Sequence, residues 1–167
     1  MAYQFYVTIQ GTKQGTFKGA TGGARQERQS AKSAAKIAGV RFLLETTSPR
    51  DLATGQASGK RQYKPIQITK EWDASSPQLF QALVQNEVLK SVLFEFVKTN
   101  EQGKEFVYHT VKLTNATVSA LRSYLDLTDT TGDPFDAHEL EDVSFTFQKI
   151  EIENKEAKTA AADDWSK

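Results

Sequence analysis

The strongest constraint on the fold is an alternation of apolar and polar side chains that recurs along the chain. Near the start, Phe5, Val7 and Ile9 alternate with polar residues, as expected of a strand with one buried face. The same period returns around Val92 and Phe94. Segments of this kind predict six or seven strands, at about 2–10, 37–47, 63–70, 88–99, 106–116, 118–127 and 143–152.

The phase of the alternation adds detail to two of these strands. Val40, Phe42 and Leu44 are expected to share one face of a strand at 37–47. Near the end, the apolar phase shifts by one residue between Phe147 and Ile150, which predicts a β-bulge close to 148–149.

One segment departs from this alternation and predicts a short helix over about 77–86. Its apolar residues recur at helical spacing from Leu79 to Val84. Ser76 is a favourable N-cap, and Pro77 would occupy the first helical position, where its missing N–H costs nothing.

A mainly β fold follows, and we expect a closed or nearly closed β-barrel of two packed sheets with the helix on its flank. Closure removes edge strands, which otherwise invite uncontrolled pairing. A chain of 167 residues suits a single domain, 1–167. Within it, 12–36 and 48–60 are expected to be long surface loops, and 154–167 a mobile tail.

The residue types argue against catalysis, so we expect no enzyme and no cofactor. Cysteine is absent, which excludes disulfides and thiolate chemistry. His109 and His138 are the only histidines, and no nucleophile elbow, paired His–Glu motif or nucleotide fingerprint is present. The acidic stretch 128–139 lacks the spacing of a calcium-binding loop, so no metal is expected there.

Nucleic-acid and membrane partners are not expected either. Residues 12–36 carry six basic side chains against Glu27, but Phe17 is their only aromatic residue, whereas single-strand binding uses several stacking platforms. No apolar run is long enough to span a membrane. Since the first residues do not resemble a secretory signal, we expect a cytoplasmic protein that is exported, if at all, without a cleavable leader.

The net charge of zero conceals an asymmetry between the two parts of the chain. Residues 1–70 carry 12 Lys and Arg against 3 acidic residues, and residues 71–167 carry 9 against 18. Oppositely charged surfaces steer and orient association, so this split suggests head-to-tail contact between copies. Such contacts generate rings when the rotation closes and filaments when it does not. The alternative is that both sets of charges interleave in the fold.

Several segments together resemble the haemolysin-coregulated protein (Hcp) family. They are GKRQYKPIQITKE at 59–71, SPQLFQAL at 76–83, LEDVSFTFQKIE at 140–151 and ADDW at 162–165. The similarity spans about 37–165 together with the first strand. Members of this family are inner-tube subunits of bacterial type VI secretion systems.

The resemblance implies a structural role in which the main partner is the protein itself. Subunits of this kind form hexameric rings with an open centre, and the rings stack into a tube. The tube is surrounded by a sheath, carries a spike at its tip, and leaves the cell with small effectors in its lumen. Sheath, spike and effector proteins are therefore the further partners that it implies.

The resemblance also indicates which residues meet a neighbouring subunit. In the family, the loop at 48–60 is an arm that contacts a neighbouring subunit or ring. Trp165 is expected to dock against the same subunit or a neighbour. The candidate subunit or ring-stacking interface comprises Arg50, Asp51, Leu52, Lys60, Arg61, Tyr63, Glu71, Trp72, Asp163, Asp164 and Trp165.

Two other classes of protein remain compatible with the sequence. The first is a tail-tube subunit of a phage-like contractile injection device, which would share the architecture. The second is a monomeric barrel of lipocalin type that binds a small molecule in an enclosed apolar cavity.

Overall fold

A computed structural model of the chain describes residues 4–19, 36–126 and 138–165. Across these ranges the chain forms twelve strands and one helix, so the prediction of a mainly β fold with one short helix is confirmed. In chain order the elements are β1 (Gln4–Gly11), β2 (Gly15–Thr16), β3 (Ile37–Gly39), β4 (Arg41–Leu43), β5 (Thr46–Thr47), β6 (Gln62–Tyr63), β7 (Ile66–Glu71), α1 (Ser75–Val84), β8 (Leu89–Thr99), β9 (Glu105–Asp126), β10 (His138–Thr146), β11 (Lys149–Asn154) and β12 (Thr159–Asp164).

Ten strands form one antiparallel sheet whose main path runs β2–β1–β8–β9–β10–β7–β4. Among the described residues, the ladders do not close this path into a barrel, which differs from full closure, one of the two forms predicted. The segment 37–43 carries β3, which pairs with β1, and β4, which pairs with β7. The chain itself therefore joins the two ends of the path. Val40 lies at the bend between these two strands with 59% of its surface exposed, so it does not share a face with the partly buried Phe42 and Leu44 as predicted.

Strand β9 is the connection between the two parts of the sheet. Its residues up to Ala116 pair with β8 and β11, and those from Thr117 onward pair with β10. The two strands predicted at 106–116 and 118–127 are thus one strand of 22 residues up to Asp126. Asn115 has a positive φ of 50° where the partners change, which accounts for the break in the sequence pattern.

The core lies between the two parts of the sheet and includes residues from the predicted alternating segments. Phe42 and Leu44 are partly buried and pack against it. Phe17 is fully buried, so the predicted surface loop 12–36 begins with a strand and a core residue, while 20–35 lie outside the described residues. The largest fully buried apolar side chains are Phe17, Phe94, Phe145, Ile9, Ile37, Ile66, Ile68, Leu79, Leu89 and Leu113.

Helix α1 begins two residues earlier than predicted, and its cap differs. The carboxylate of Asp73 accepts a hydrogen bond from the backbone N–H of Ser75 at 2.9 Å, whereas Ser76 lies within the helix. The helix ends before Asn86, which has a positive φ of 49°. Leu79 lies on the buried face of the helix.

The carboxyl-terminal segment is more regular than predicted. The chain leaves β10 after Thr146 and resumes as β11 at Lys149, and both strands pair with β9. The phase shift therefore marks a break between two strands rather than a bulge within one strand. Residues 159–164 of the predicted tail form β12, which pairs antiparallel with β11. This pairing brings Trp165 beside Gln148. The backbone N–H of Trp165 donates to the backbone oxygen of Gln148 at an N–O distance of 2.9 Å.

Candidate self-association surface

Two polar side chains that follow the long loop hold the end of the chain in place. The guanidinium of Arg61 donates to both carboxylate oxygens of Asp163, at 2.6 and 2.8 Å, and to the backbone oxygen of Asp164 at 2.6 Å. The hydroxyl of Tyr63 also donates to Asp163. We call the group Lys60, Arg61, Tyr63, Asp163, Asp164 and Trp165 the latch.

The hydrogen bonds of the latch change the acidity of its members. The pKa of Asp163 lies below its usual range because Tyr63 and Arg61 both donate to its carboxylate. The pKa of Tyr63 is raised, first because partial burial disfavours the phenolate and then because it donates to the negative Asp163. The pKa of Arg61 is raised by its hydrogen bond to Asp163. The latch therefore favours an ionised Asp163 and a neutral Tyr63.

Aromatic rings pack beside these polar contacts. The ring centroids of Tyr63 and Trp165 lie 5.2 Å apart, and Phe147 contacts both rings edge-on. The ammonium of Lys60 donates to the backbone oxygen of Trp165 at 3.0 Å. Trp165 still exposes 42% of its surface, so it docks on its own subunit and leaves an apolar face available.

The latch holds the base of a protruding hairpin, which we call the arm (46–63). Strands β5 and β6 pair at its base, and a bridge between Arg50 and Ala57 continues the hairpin. At its tip, the carboxylate of Asp51 accepts from the N–H of Ala53 at 2.9 Å. The predicted loop 48–60 is thus an ordered turn, and the side chain of Leu52 is fully exposed.

The two remaining predicted interface residues lie elsewhere. Glu71 is the last residue of β7 and Trp72 follows it. The indole N–H of Trp72 donates to the backbone oxygen of Leu140 at 2.8 Å. Trp72 is 42% exposed. The eleven predicted residues therefore form three groups: the latch, the tip of the arm, and this pair.

A buried ionic network next to α1 was not predicted. Lys70 is fully buried, and its ammonium contacts Glu141 directly and the carboxylate of Asp73 at 2.9 Å. The hydroxyl of Ser76 donates to Glu141 at 2.7 Å. The sequence did contain a signal for the burial of Lys70. In an alternating strand, Lys70 lies on the same face as Ile66 and Ile68, which are buried.

The exposed face of α1 was also missed. Phe80 and Val84 are one helical turn apart and expose 56% and 55% of their surfaces, and Val88 beyond the helix exposes 41%. Helical spacing was correctly recognised, but it does not distinguish a side chain packed on the core from one that faces outward.

Neither a metal-binding cluster nor a membrane-spanning helix is found in the part of the chain that the structure describes. No group of three or more His, Cys, Asp or Glu side chains there could hold a metal ion. The acidic stretch 128–139 falls largely outside that part. His109 is partly buried, with its ring centroid 5.7 Å from that of Phe96. Among the described residues, no helix is long and apolar enough to cross a membrane.

The described residues define a mainly β protein with a protruding hairpin and exposed apolar side chains. Its polar clusters tie segments of the chain together. Its exposed apolar side chains include those of Leu52, Trp72, Phe80, Val84 and Trp165.

Comparison with known proteins identifies the family. Residues 6–153 match the family described as "Type VI secretion system effector, Hcp". The chain is 34% identical over 174 aligned residues to the "Major exported protein" of Pseudomonas aeruginosa, covering 99% of this chain and 96% of that protein. The chain belongs to the Hcp family of type VI secretion tube and effector proteins.

Solved structures agree with this assignment. A crystal structure of an Hcp protein superposes with a TM-score of 0.87 at 26% identity, covering 98% of both chains. The secreted protein Hcp3 from Pseudomonas aeruginosa gives a TM-score of 0.77 at 28% identity, covering 98% of this chain and 99% of that one. Because this family consists of structural tube proteins, the prediction that the chain is not an enzyme is confirmed.

Proposed function

We propose that six copies of this chain form a ring and that rings stack into the inner tube of a type VI secretion system. The observation that carries this proposal is the arm: an ordered hairpin, held at its base by the latch, that presents the fully exposed Leu52. Exposure of a leucine side chain to water is unfavourable, so burying it against another copy would stabilise the contact. Membership of the Hcp family supports the same role.

The interface is proposed to consist of the predicted residues in their three groups. The tip with Arg50, Asp51 and Leu52 makes contact between rings. The latch fixes the direction of the arm and offers the exposed face of Trp165. Glu71 and Trp72, at the far end of β7, make a separate contact with a neighbour.

A single, nearly closed barrel is the architecture that we infer for each ring subunit. The segment 37–43 supports it, because one short stretch of chain supplies a strand to β1 and a strand to β7. A nearly closed barrel leaves few exposed sheet edges. A single subunit could therefore remain in solution before assembly without uncontrolled strand pairing.

Export of the assembled tube is part of the proposal. The relative in Pseudomonas aeruginosa is named a major exported protein, which supports secretion of this chain. The subunit would be made in the cytoplasm and then exported from the cell. Sheath, spike and effector proteins of the secretion system are its proposed partners, with effectors carried in the lumen.

Size-exclusion chromatography with negative-stain imaging tests the proposal. The expected result is annular particles with a hollow centre, and Arg61→Ala should reduce their stacking because it frees the base of the arm. Lys64→Ala is the matched control, since Lys64 forms only an exposed ion pair with Glu45 at 3.0 Å. A single species of 18.6 kDa at every concentration would refute the proposal and favour a monomeric binding barrel.

A further inference from the structure

The part of the sheet formed by β4, β7, β10 and β9 from Thr117 onward has one face in the core and one face outside. Ile66, Ile68, Val143 and Phe145 are buried on the inner face. Successive side chains of a strand point to opposite sides, so the residues between these four point away from the core. We call that outward side the arginine face.

Two arginines lie in one row across the arginine face. Arg41 of β4 lies opposite Thr69 of β7. Thr69 lies opposite Asp142 of β10, which in turn lies opposite Arg122 of β9. Three strand spacings of about 4.8 Å separate the two arginines, so their Cα atoms are about 14 Å apart.

The acidic residue between the arginines is hydrogen-bonded to neutral groups. The hydroxyl of Thr69 donates to the carboxylate of Asp142 at 2.7 Å, and that of Tyr124 donates to the same oxygen at 3.5 Å. The guanidinium of Arg122 lies over the ring of Tyr124, 5.5 Å from its centroid. Arg41 and Arg122 are exposed, and neither forms an ion pair with another residue in the ranges that the structure describes. Both arginines are therefore available to an anionic partner.

The next row of the arginine face is uncharged. Leu43 lies opposite Gln67, and Ser144 lies between Gln67 and Ala120 in the ladders. Leu43 exposes 41% of its surface, and Ala120 is also exposed. Uncharged side chains next to the arginines allow a partner surface to approach the sheet without desolvating further charges. The arrangement therefore fits a protein surface whose acidic groups are spread over a similar distance.

We propose that Arg41 and Arg122 determine cargo specificity, so that the arginine face favours effectors with an acidic surface. This proposal rests on the tube proposed above, which carries effectors in its lumen, and it names the charge of the cargo and the residues that select it. Opposite charges orient partners during encounter and disfavour partners of the same charge. Because every copy in a ring repeats the two arginines, one effector can meet several pairs, and contacts that are individually weak add up.

Binding of a fluorescently labelled deca-glutamate peptide to assembled rings tests the proposal. In fluorescence anisotropy at low ionic strength, rings of the unmodified chain should bind this probe more tightly than labelled deca-lysine. Arg41→Glu and Arg122→Glu should each weaken binding of deca-glutamate about tenfold, and the milder Arg41→Gln and Arg122→Gln about threefold. Lys112→Glu is the matched control, because Lys112 is exposed on the part of β9 that pairs with β8 and β11, outside the arginine face.

Asp142→Asn should change binding in the opposite direction. The amide oxygen can still accept the hydrogen bond from Thr69, while the negative charge between the arginines is removed. Binding of deca-glutamate should therefore become about two- to threefold tighter. A variant that had lost its structure would not bind more tightly, so this measurement is independent of any folding defect in the arginine variants.

Disulfide capture locates the bound probe, because the chain contains no cysteine. Deca-glutamate with a terminal cysteine should form a disulfide with Gln67→Cys, which is two residues from Thr69 on the same strand and on the same face. The control Lys112→Cys should not be captured. A disulfide forms only when the two Cβ atoms approach to about 4 Å, so capture reports close contact.

The outcomes separate this proposal from the proposed function. Weaker binding by the arginine variants, tighter binding by Asp142→Asn and an unchanged Lys112 variant support the cargo specificity. Rings that bind deca-glutamate no more tightly than deca-lysine, or equally well without the two arginines, overturn it while leaving tube assembly intact. Capture at Lys112→Cys instead of Gln67→Cys overturns the role of the arginine face. Failure of the unmodified chain to form rings at any concentration overturns both proposals.

Discussion

Lys70 shows how a charged side chain becomes part of a β-rich core. Its ammonium is fully buried, but two carboxylates and the backbone oxygen of Glu71, at 3.0 Å, satisfy it. The network joins β7, the start of α1 and β10 through Asp73 and Glu141. It therefore orients the helix against the sheet as well as neutralising the buried charge.

Lys70→Met should destabilise the fold by about 3–5 kcal/mol, because it leaves buried carboxylates without their cation. Urea unfolding followed by circular dichroism gives the free energy of unfolding. Lys64→Met is the control, and the loss of its exposed pair with Glu45 should cost about 0–1 kcal/mol. Equal effects of the two substitutions would contradict the structural role of the network.

The latch should make stability depend on pH through Asp163. Its pKa is lower in the folded chain than in the unfolded chain, chiefly through the hydrogen bond from Tyr63 and then that from Arg61. The ionised form thus stabilises the fold above the unfolded value of about 3.9, and this contribution is lost as the pH falls through the lower, folded value.

Comparison of the unmodified chain with Asp163→Asn measures that contribution. The unmodified chain should be the more stable at pH 6, and the difference should shrink steadily as the pH falls below about 4. Urea midpoints over this range provide the data, with Asp51→Asn on the exposed arm as the control. A difference that stays constant down to about pH 2 would show that Asp163 is not the titrating group.

At the scale of elements, the sequence predicted strands and a helix where local pattern and packing agree. Residues from Phe5 to Ile9 alternate because one face of β1 is buried, and Pro77 marks the first turn of α1 correctly to within two residues. The sequence pattern did not predict features that depend on contacts between residues far apart in the chain. The bend at Asn115 and the burial of Phe17 depend on partners far along the chain.

The same distinction applies to the candidate surface. Arg61 and Asp163 could be named from resemblance, but nothing local shows that they pair, because 102 residues separate them. The tail was predicted to be mobile because residues 154–162 are rich in Lys, Ala, Glu and Thr. Its strand is instead stabilised by the β11 ladder and the latch.

Removal of residues 50–58 should leave the sheet folded and impair stacking. Among these residues Leu52 is the only large apolar one, and it is fully exposed, so the core loses nothing. Circular dichroism should keep its β-sheet spectrum while stacked particles disappear from negative-stain images. Leu52→Ala is the milder comparison and should weaken stacking less than the deletion does. Loss of all folded structure on deletion would refute this separation.

At the scale of the whole molecule, part of the charge split is used inside each subunit. Arg61 pairs with Asp163, Lys36 with Glu95 at 3.5 Å, and Lys70 with Glu141, so the basic first part of the chain already meets the acidic second part. Only the remaining exposed charges can act between copies.

Salt should therefore weaken stacking without abolishing it. Raising the salt concentration from about 0.1 to 1 M shortens the screening length from about 10 to 3 Å, which suppresses attraction between exposed charges. The apolar contacts that we propose at Leu52 and Trp165 would not depend on that attraction, and the paired, partly buried latch is screened less than an exposed pair. Sedimentation across this range should show fewer stacked rings at high salt, with the rings themselves retained. Stacking that does not change with salt would mean that the charge split has no part in assembly, and that the exposed apolar side chains alone hold one ring on the next.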